Sequence, residues 1–107
     1  MIKRPADLVE IEAELVFNSR PIDRIEVDLT HINKHSRSNV TAIEVWEIVI
    51  FNLSGAIEEV AGSKQYSNGN CDYFAKIVRY KWNWYKLVWC ICSDKPMTIG
   101  IITFYRV

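Results

Sequence analysis

Tyr73-Phe74-Ala75-Lys76-Ile77-Val78-Arg79-Tyr80-Lys81-Trp82 is the stretch that decides the fold. Tyr73, Ala75, Ile77 and Arg79 fall on one face, and Phe74, Lys76, Val78, Tyr80 and Trp82 on the other. A period of two marks a strand, here over 73–82. The pattern recurs twice downstream. Residues 85–93 set Leu87, Trp89 and Ile91 against Val88, Cys90 and Cys92. Residues 97–106 set Ile99, Ile101, Thr103 and Tyr105 against Gly100, Ile102, Phe104 and Arg106. The links, near Asn83-Trp84 and at Asp94-Lys95-Pro96, are too short for a crossover, so the three strands are antiparallel. The second and third are apolar on both faces. That predicts central strands, or strands covered by a helix on one side and by an N-terminal hairpin or a partner protein on the other.

Upstream, Thr41-Ala42-Ile43-Glu44 fits a capping box, in which the threonine hydroxyl accepts an amide and the glutamate reaches back. Ala42, Val45, Trp46, Val49 and Leu53 follow at three-to-four spacing. A helix over 41–53 therefore offers an apolar stripe to the sheet, with Gly55 as its stop. Residues 31–40 are polar and read as a loop or a short helical turn. Val9-Glu10-Ile11-Glu12-Ala13-Glu14-Leu15 alternates strictly, although Glu and Ala also permit a helix. The alternation resumes beyond the turn segment Phe17-Asn18-Ser19-Arg20-Pro21, which gives a β-hairpin of strands 8–17 and 23–30. Ile57-Glu58-Glu59-Val60 would extend the main helix by a turn. Gly62-Ser63 and Ser67-Asn68-Gly69-Asn70 read as loop, with Asn68-Gly69 a strong turn signal. The sum is a single domain over 1–107 with an α+β fold. An antiparallel β-sheet, built from the N-terminal hairpin plus three C-terminal strands, packs against one main helix.

Composition sets limits on function. Half of the 107 residues are apolar and 12% are aromatic, enough to bury a core. Thirteen basic side chains balance thirteen acidic ones, so the total charge argues for neither nucleic acid nor membrane. The distribution is uneven. Acids predominate up to Glu59, whereas beyond it Asp72 and Asp94 face Lys64, Lys76, Arg79, Lys81, Lys86, Lys95 and Arg106. That is a basic sheet on an acidic N-terminal half, or an ordinary solvated strand face. Met1-Ile2-Lys3-Arg4-Pro5 opens no apolar leader, and no run of 18 apolar residues follows. Cys71, Cys90 and Cys92 match neither a CxxC nor a zinc-knuckle spacing. These features predict reduced, buried thiols in a cytoplasmic protein with no membrane span.

Several polar residues are candidates for chemistry. His31 and His35, with Lys34 between them, suit general acid–base work or a phosphate contact, or are simply surface polar residues. No carboxylate or third ligand adjoins the two imidazoles, so neither a metal nor a cofactor is assigned. Arg79 sits in mid-strand among apolar neighbours and needs an anion, because a buried unpaired charge is costly; Asp28, Glu44, a phosphate or a partner's carboxylate would supply it. With Lys76, Tyr80, Tyr105, Arg106 and His31 of the polar loop, Arg79 would make a cationic, aromatic concavity for RNA. Trp82, Trp84, Tyr85 and Trp89 form a dense aromatic cluster. Trp89 is expected in the core, and Trp82 and Trp84 at an exposed turn, as a stacking platform, a protein interface or packing.

His31-Ile32-Asn33-Lys34-His35, the helix Thr41 to Leu53, Ala75-Lys76-Ile77-Val78-Arg79, Lys86-Leu87-Val88-Trp89 and the terminal strand Ile99 to Arg106 occur in that order. Over residues 24–107 this series resembles the BrnT branch of the RelE-like ribonuclease toxins. The resemblance implies metal-independent RNA cleavage on a small α+β fold, with an antitoxin protein as partner. Arg79 would stabilise charge on the scissile phosphate. Lys34 or His35 would assist proton transfer, and Arg106 would make a second phosphate contact. The chain departs from such toxins in its neutral charge, its end at Arg106-Val107 and its extra N-terminal hairpin. The alternative reading is a non-catalytic protein-interaction domain, a subunit of a small complex or a homo-oligomer.

Overall fold

The computed structural model describes residues 8–36, 39–55, 63–68 and 70–107. Six strands, β1 (Leu8–Phe17), β2 (Arg20–Asp28), β3 (Ser63–Asn68), β4 (Cys71–Tyr80), β5 (Asn83–Cys92) and β6 (Lys95–Arg106), form one sheet in the order β1-β2-β6-β5-β4-β3. Two helices, α1 (Leu29–Ser36) and α2 (Ala42–Leu53), pack on one face of it. The fold is the expected α+β sheet of an N-terminal hairpin and three C-terminal strands against one main helix. β5 and β6, the strands apolar on both faces, lie at its centre.

The details differ from the expectation in several places. The hairpin joins the sheet edge-on, and β2 runs parallel to β6, the one parallel pair among the described strands. β2 stops at Asp28 rather than 30, because Asp28 Oδ1 accepts the His31 amide at 3.0 Å and caps α1. Of the loop or short helical turn expected there, the structure has the helical form, lengthened to the eight residues 29–36 and docked through the fully buried Ile32. Asn33 clamps the link to α2 by two bonds with the Val40 backbone, at 2.7 and 3.1 Å. Residues 63–68 pair with β4 as a strand, and Asn68 lies opposite Cys71. The proposed helical turn at 57–60 lies outside the described residues. The β4–β5 turn sits at Lys81-Trp82, whose φ values of 47° and 71° match the two-residue turn that suits strand twist. Finally, the register slips between Val88 and Trp89, so Phe104 joins Ile99 and Ile101 in the core instead of alternating away.

The core lies between the helices and the sheet. Val45, Ile48, Val49 and Leu53 of α2 are buried there, and the capping box at Thr41 and Glu44 forms as expected. At one end of the sheet Phe17, Phe74 and Trp89 meet with ring centroids 5.3–5.6 Å apart, Phe74 stacked on Trp89 and Phe17 edge-on to both. At the other, Tyr85 stacks on Phe104 at 4.4 Å with Tyr80 edge-on. Aromatic pairs at these distances add about 0.5–1.5 kcal/mol each beyond area burial. The opposite face of the sheet is covered by no described element. On the edge strand β1, Glu10, Glu12 and Glu14 are exposed and guard against pairing with another chain.

Candidate functional site

The residues expected to share a cationic, aromatic site are divided by the sheet. On β4, Phe74 and Val78 are buried under the helices, so Ile77 and Arg79 point to the open face. Tyr105, opposite Lys86 in register, points there too. Lys76 and Tyr80 point to the helices, and Arg106 lies beside buried Tyr85 on that same side. His31 and Lys34 are exposed on α1, again on the helical side. The side chain of His35 lies outside what is described. The sheet therefore stands between Arg79 and Lys34.

Lys76 and Tyr80 are engaged in holding α2. Lys76 Nζ donates to the Asn52 carbonyl at 3.2 Å, a cation at the negative end of the helix. The Tyr80 hydroxyl donates to Glu44 Oε2, and Lys81 Nζ lies 2.7 Å from the same oxygen. The Lys81 ammonium, then the Tyr80 hydroxyl and the Thr41 amide, hold the Glu44 carboxyl down at about 2 from an ordinary 4.5. Burial and the facing carboxylate push the Tyr80 phenol up. The hydrogen bond to Glu44 raises Lys81. This group joins the start of α2 to the β4–β5 turn.

Arg79 is exposed, and its guanidinium carbon lies 5.8 Å from the centroid of Trp84, directly opposite on β5. Solvent and the indole face satisfy the charge, so Arg79 needs no buried anion, contrary to the reading of it as an enclosed mid-sheet charge. Trp82 and Trp84 are exposed and Trp89 is buried, as expected.

The cysteines correct another expectation. Cys71 and Cys92, opposite each other on β4 and β5, form a disulfide rather than remaining reduced. Cys90 keeps a free thiol, which burial and then the Glu26 charge push up. All three line a shallow groove of about 220 Å³ with Glu26, Asp94 and Lys95. A neighbouring groove of about 360 Å³ lies along β2 and β6. In it Arg24 pairs with Glu10 and Lys95 with Glu26, both at 3.3 Å, and Asp23 is a further acid in its lining. Among the described residues no three His, Cys, Asp or Glu side chains are placed to hold a metal ion. No described helix is long and apolar enough to cross a membrane.

The least expected feature is the outer face of α2. Trp46, expected in the inward stripe, lies on the outer face, where Ile43 is 70% and Phe51 80% exposed. The signal is legible in Ala42-Ile43-Glu44-Val45-Trp46-Glu47-Ile48-Val49-Ile50-Phe51, whose apolar residues spread beyond one face and are interrupted by Glu44 and Glu47 alone, more than a single buried stripe requires. Compared with protein-family models, curated proteins and solved structures, the chain shows no match.

Proposed function

We propose that this chain is a non-catalytic protein-interaction domain that docks a partner protein through the outer face of α2. The observation that carries this reading is the apolar stripe Ile43, Trp46 and Phe51, held in water on a helix whose other face already fills the core. Burying one such side chain is worth about 1.5–3 kcal/mol, and exposed apolar clusters of this kind mark binding surfaces. Fixed on a capped helix, the stripe loses little entropy on docking. Charge supports the same choice. The chain is neutral, and α2 itself carries Glu44 and Glu47 but no Lys or Arg, which favours a protein over a phosphate-bearing partner on this helix.

The test compares the native chain with an Ile43→Ser/Phe51→Ser double variant, each tagged and expressed at native level. The complex recovered with the native chain should be lost with the variant, while circular dichroism and melting remain close to native. A complex of unchanged composition on the variant removes this reading.

One observation keeps ribonuclease activity as a second reading. Arg79 and Trp84 together offer a cation and a stacking ring on an accessible face. RNA cleaved by the pure protein, and spared by Arg79→Ala, would favour it over the interaction domain.

A further inference from the structure

The two hairpin turns share a backbone conformation and differ in what they place in it. Each sets two consecutive non-glycine residues at positive φ, Asn18-Ser19 in one and Lys81-Trp82 in the other. After glycine, Asn adopts this conformation most readily, and a bulky side chain is strained in it. Trp82 gains no burial in exchange. It is 88% exposed, at the apex of the β4–β5 hairpin. Packing within the chain therefore gives no reason for an indole at this position. Trp84 and Ile77, also exposed, follow on the open face of the sheet.

The zero total charge conceals a basic end of the molecule around this tip. Arg79 and Lys86 lie on the open face, and Lys81 and Arg106 on the helix side. Glu44 reaches this end and is offset by Lys81 at 2.7 Å. Asp28, at the end of β2, caps α1. On the open face Glu10, Glu26 and Asp94 belong to the far end, with Arg24, Lys95 and Asn70 as their partners. Glu26 is level with Gly100 and Cys90, six residues along β5 from Trp84. That is about 20 Å, roughly two screening lengths in ordinary salt. Arg79, Lys86 and Arg106 are thus in excess at the tip.

We propose that the β4–β5 tip docks on the surface of a phospholipid bilayer that carries anionic headgroups. The site is separate from the α2 stripe and does not rest on the reading of that helix. Trp82 enters the headgroup layer, where an indole buries its apolar body and keeps its N–H among polar groups. Arg79, Lys86 and Arg106 meet the negative surface, and each basic residue held there strengthens binding about fivefold. Attachment is peripheral, by a tip that lies in the interface and does not span it. Shape selects a bilayer over RNA. Single-stranded RNA is held in a basic groove along which successive bases stack. This turn projects instead, and neither groove described above is lined by any of its residues.

The test is co-sedimentation of the pure chain with vesicles of phosphatidylcholine alone and of phosphatidylcholine with about 30% phosphatidylglycerol. The native chain should bind the anionic vesicles at 50 mM salt, at least about tenfold more tightly than the neutral ones, and release them at 500 mM. Trp82→Asn installs the residue this turn favours, so it should melt at or above the native temperature and yet bind at least about fivefold more weakly. Arg79→Gln/Lys86→Gln should bind the anionic vesicles about twenty-fivefold more weakly, two basic residues at about fivefold each. A native chain left in the supernatant, equal binding to both vesicles, or unchanged binding by Trp82→Asn would overturn the proposal. Polyuridylate bound by a native chain that ignores the vesicles would overturn it in favour of RNA. Vesicle binding lost in Ile43→Ser/Phe51→Ser but kept in both tip variants would overturn it too, by moving the contact to α2.

Discussion

Replacing Glu44 by Gln should destabilise the fold at neutral pH and should do so far less in acid. Glu44 accepts the Tyr80 hydroxyl, the Lys81 ammonium at 2.7 Å and the Thr41 amide at 3.1 Å, and its carboxyl is held at about 2 against 4.5. A folded-state value below the unfolded one favours the fold above pH 4.5, and that contribution disappears as pH falls through about 2. Unscreened, the difference would be worth about 3 kcal/mol. Lys81 is 68% exposed, so screening reduces this to about 1–2 kcal/mol. For a domain of this size that is a fall in Tm of roughly 5–10 °C. Urea denaturation of native and Glu44→Gln proteins at pH 7 and pH 2.5 measures it directly. The stability gap should narrow but not vanish at pH 2.5, because the unfolded carboxyl is then protonated while the folded one, held at about 2, is protonated only in part. Tyr80→Phe keeps the rings of Tyr85 and Phe104 packed and should lose only about 1 kcal/mol at pH 7. An equal gap for Glu44→Gln at both pH values would refute the electrostatic account of this cluster.

Other consequences can be checked on the same denaturation curves. Phe17→Ala, at the meeting point of Phe74 and Trp89, should cost about 3–5 kcal/mol through the cavity it leaves. Arg79→Ala should cost less than about 1 kcal/mol, because the guanidinium is exposed and stacks on one indole; a loss above 3 kcal/mol would indicate an enclosed ion pair. Opening the Cys71–Cys92 bridge, which spans 21 residues, by a Cys71→Ser/Cys92→Ser variant should lower stability by about 3 kcal/mol, while Cys90→Ser, which leaves the bridge intact, should cost much less.

The firmest parts of the fold were those in which one signal dominated. The alternation of Tyr73 to Arg106 identified three strands, and the Thr41–Glu44 box placed the start of α2. Errors arose where two signals competed. Asp28 ends a strand pattern and also caps a helix, and the cap prevails because Ile32 gains a core position. Phe17 resembled a turn flank, yet it fills the centre of an aromatic cluster to which three strands contribute, a contact with no local trace. The site was less legible than the fold. Arg79, Lys76 and Tyr80 alternate along β4, so a list that takes all three as one site spans both faces of a sheet. Alternation alone says which residues share a face, but not which face is left open. The outer residues of α2 were visible in sequence and easily absorbed into a stripe imagined to face inward, as Trp46 was.

The central claim is that Ile43, Trp46 and Phe51 are covered by another protein. The most direct test is hydroxyl-radical footprinting of the pure chain and of the chain within its isolated native complex, with oxidation counted residue by residue. The account predicts that Phe51 and Trp46 react readily in the pure chain and are protected several-fold in the complex. Equal reactivity of Phe51 in both states would contradict it.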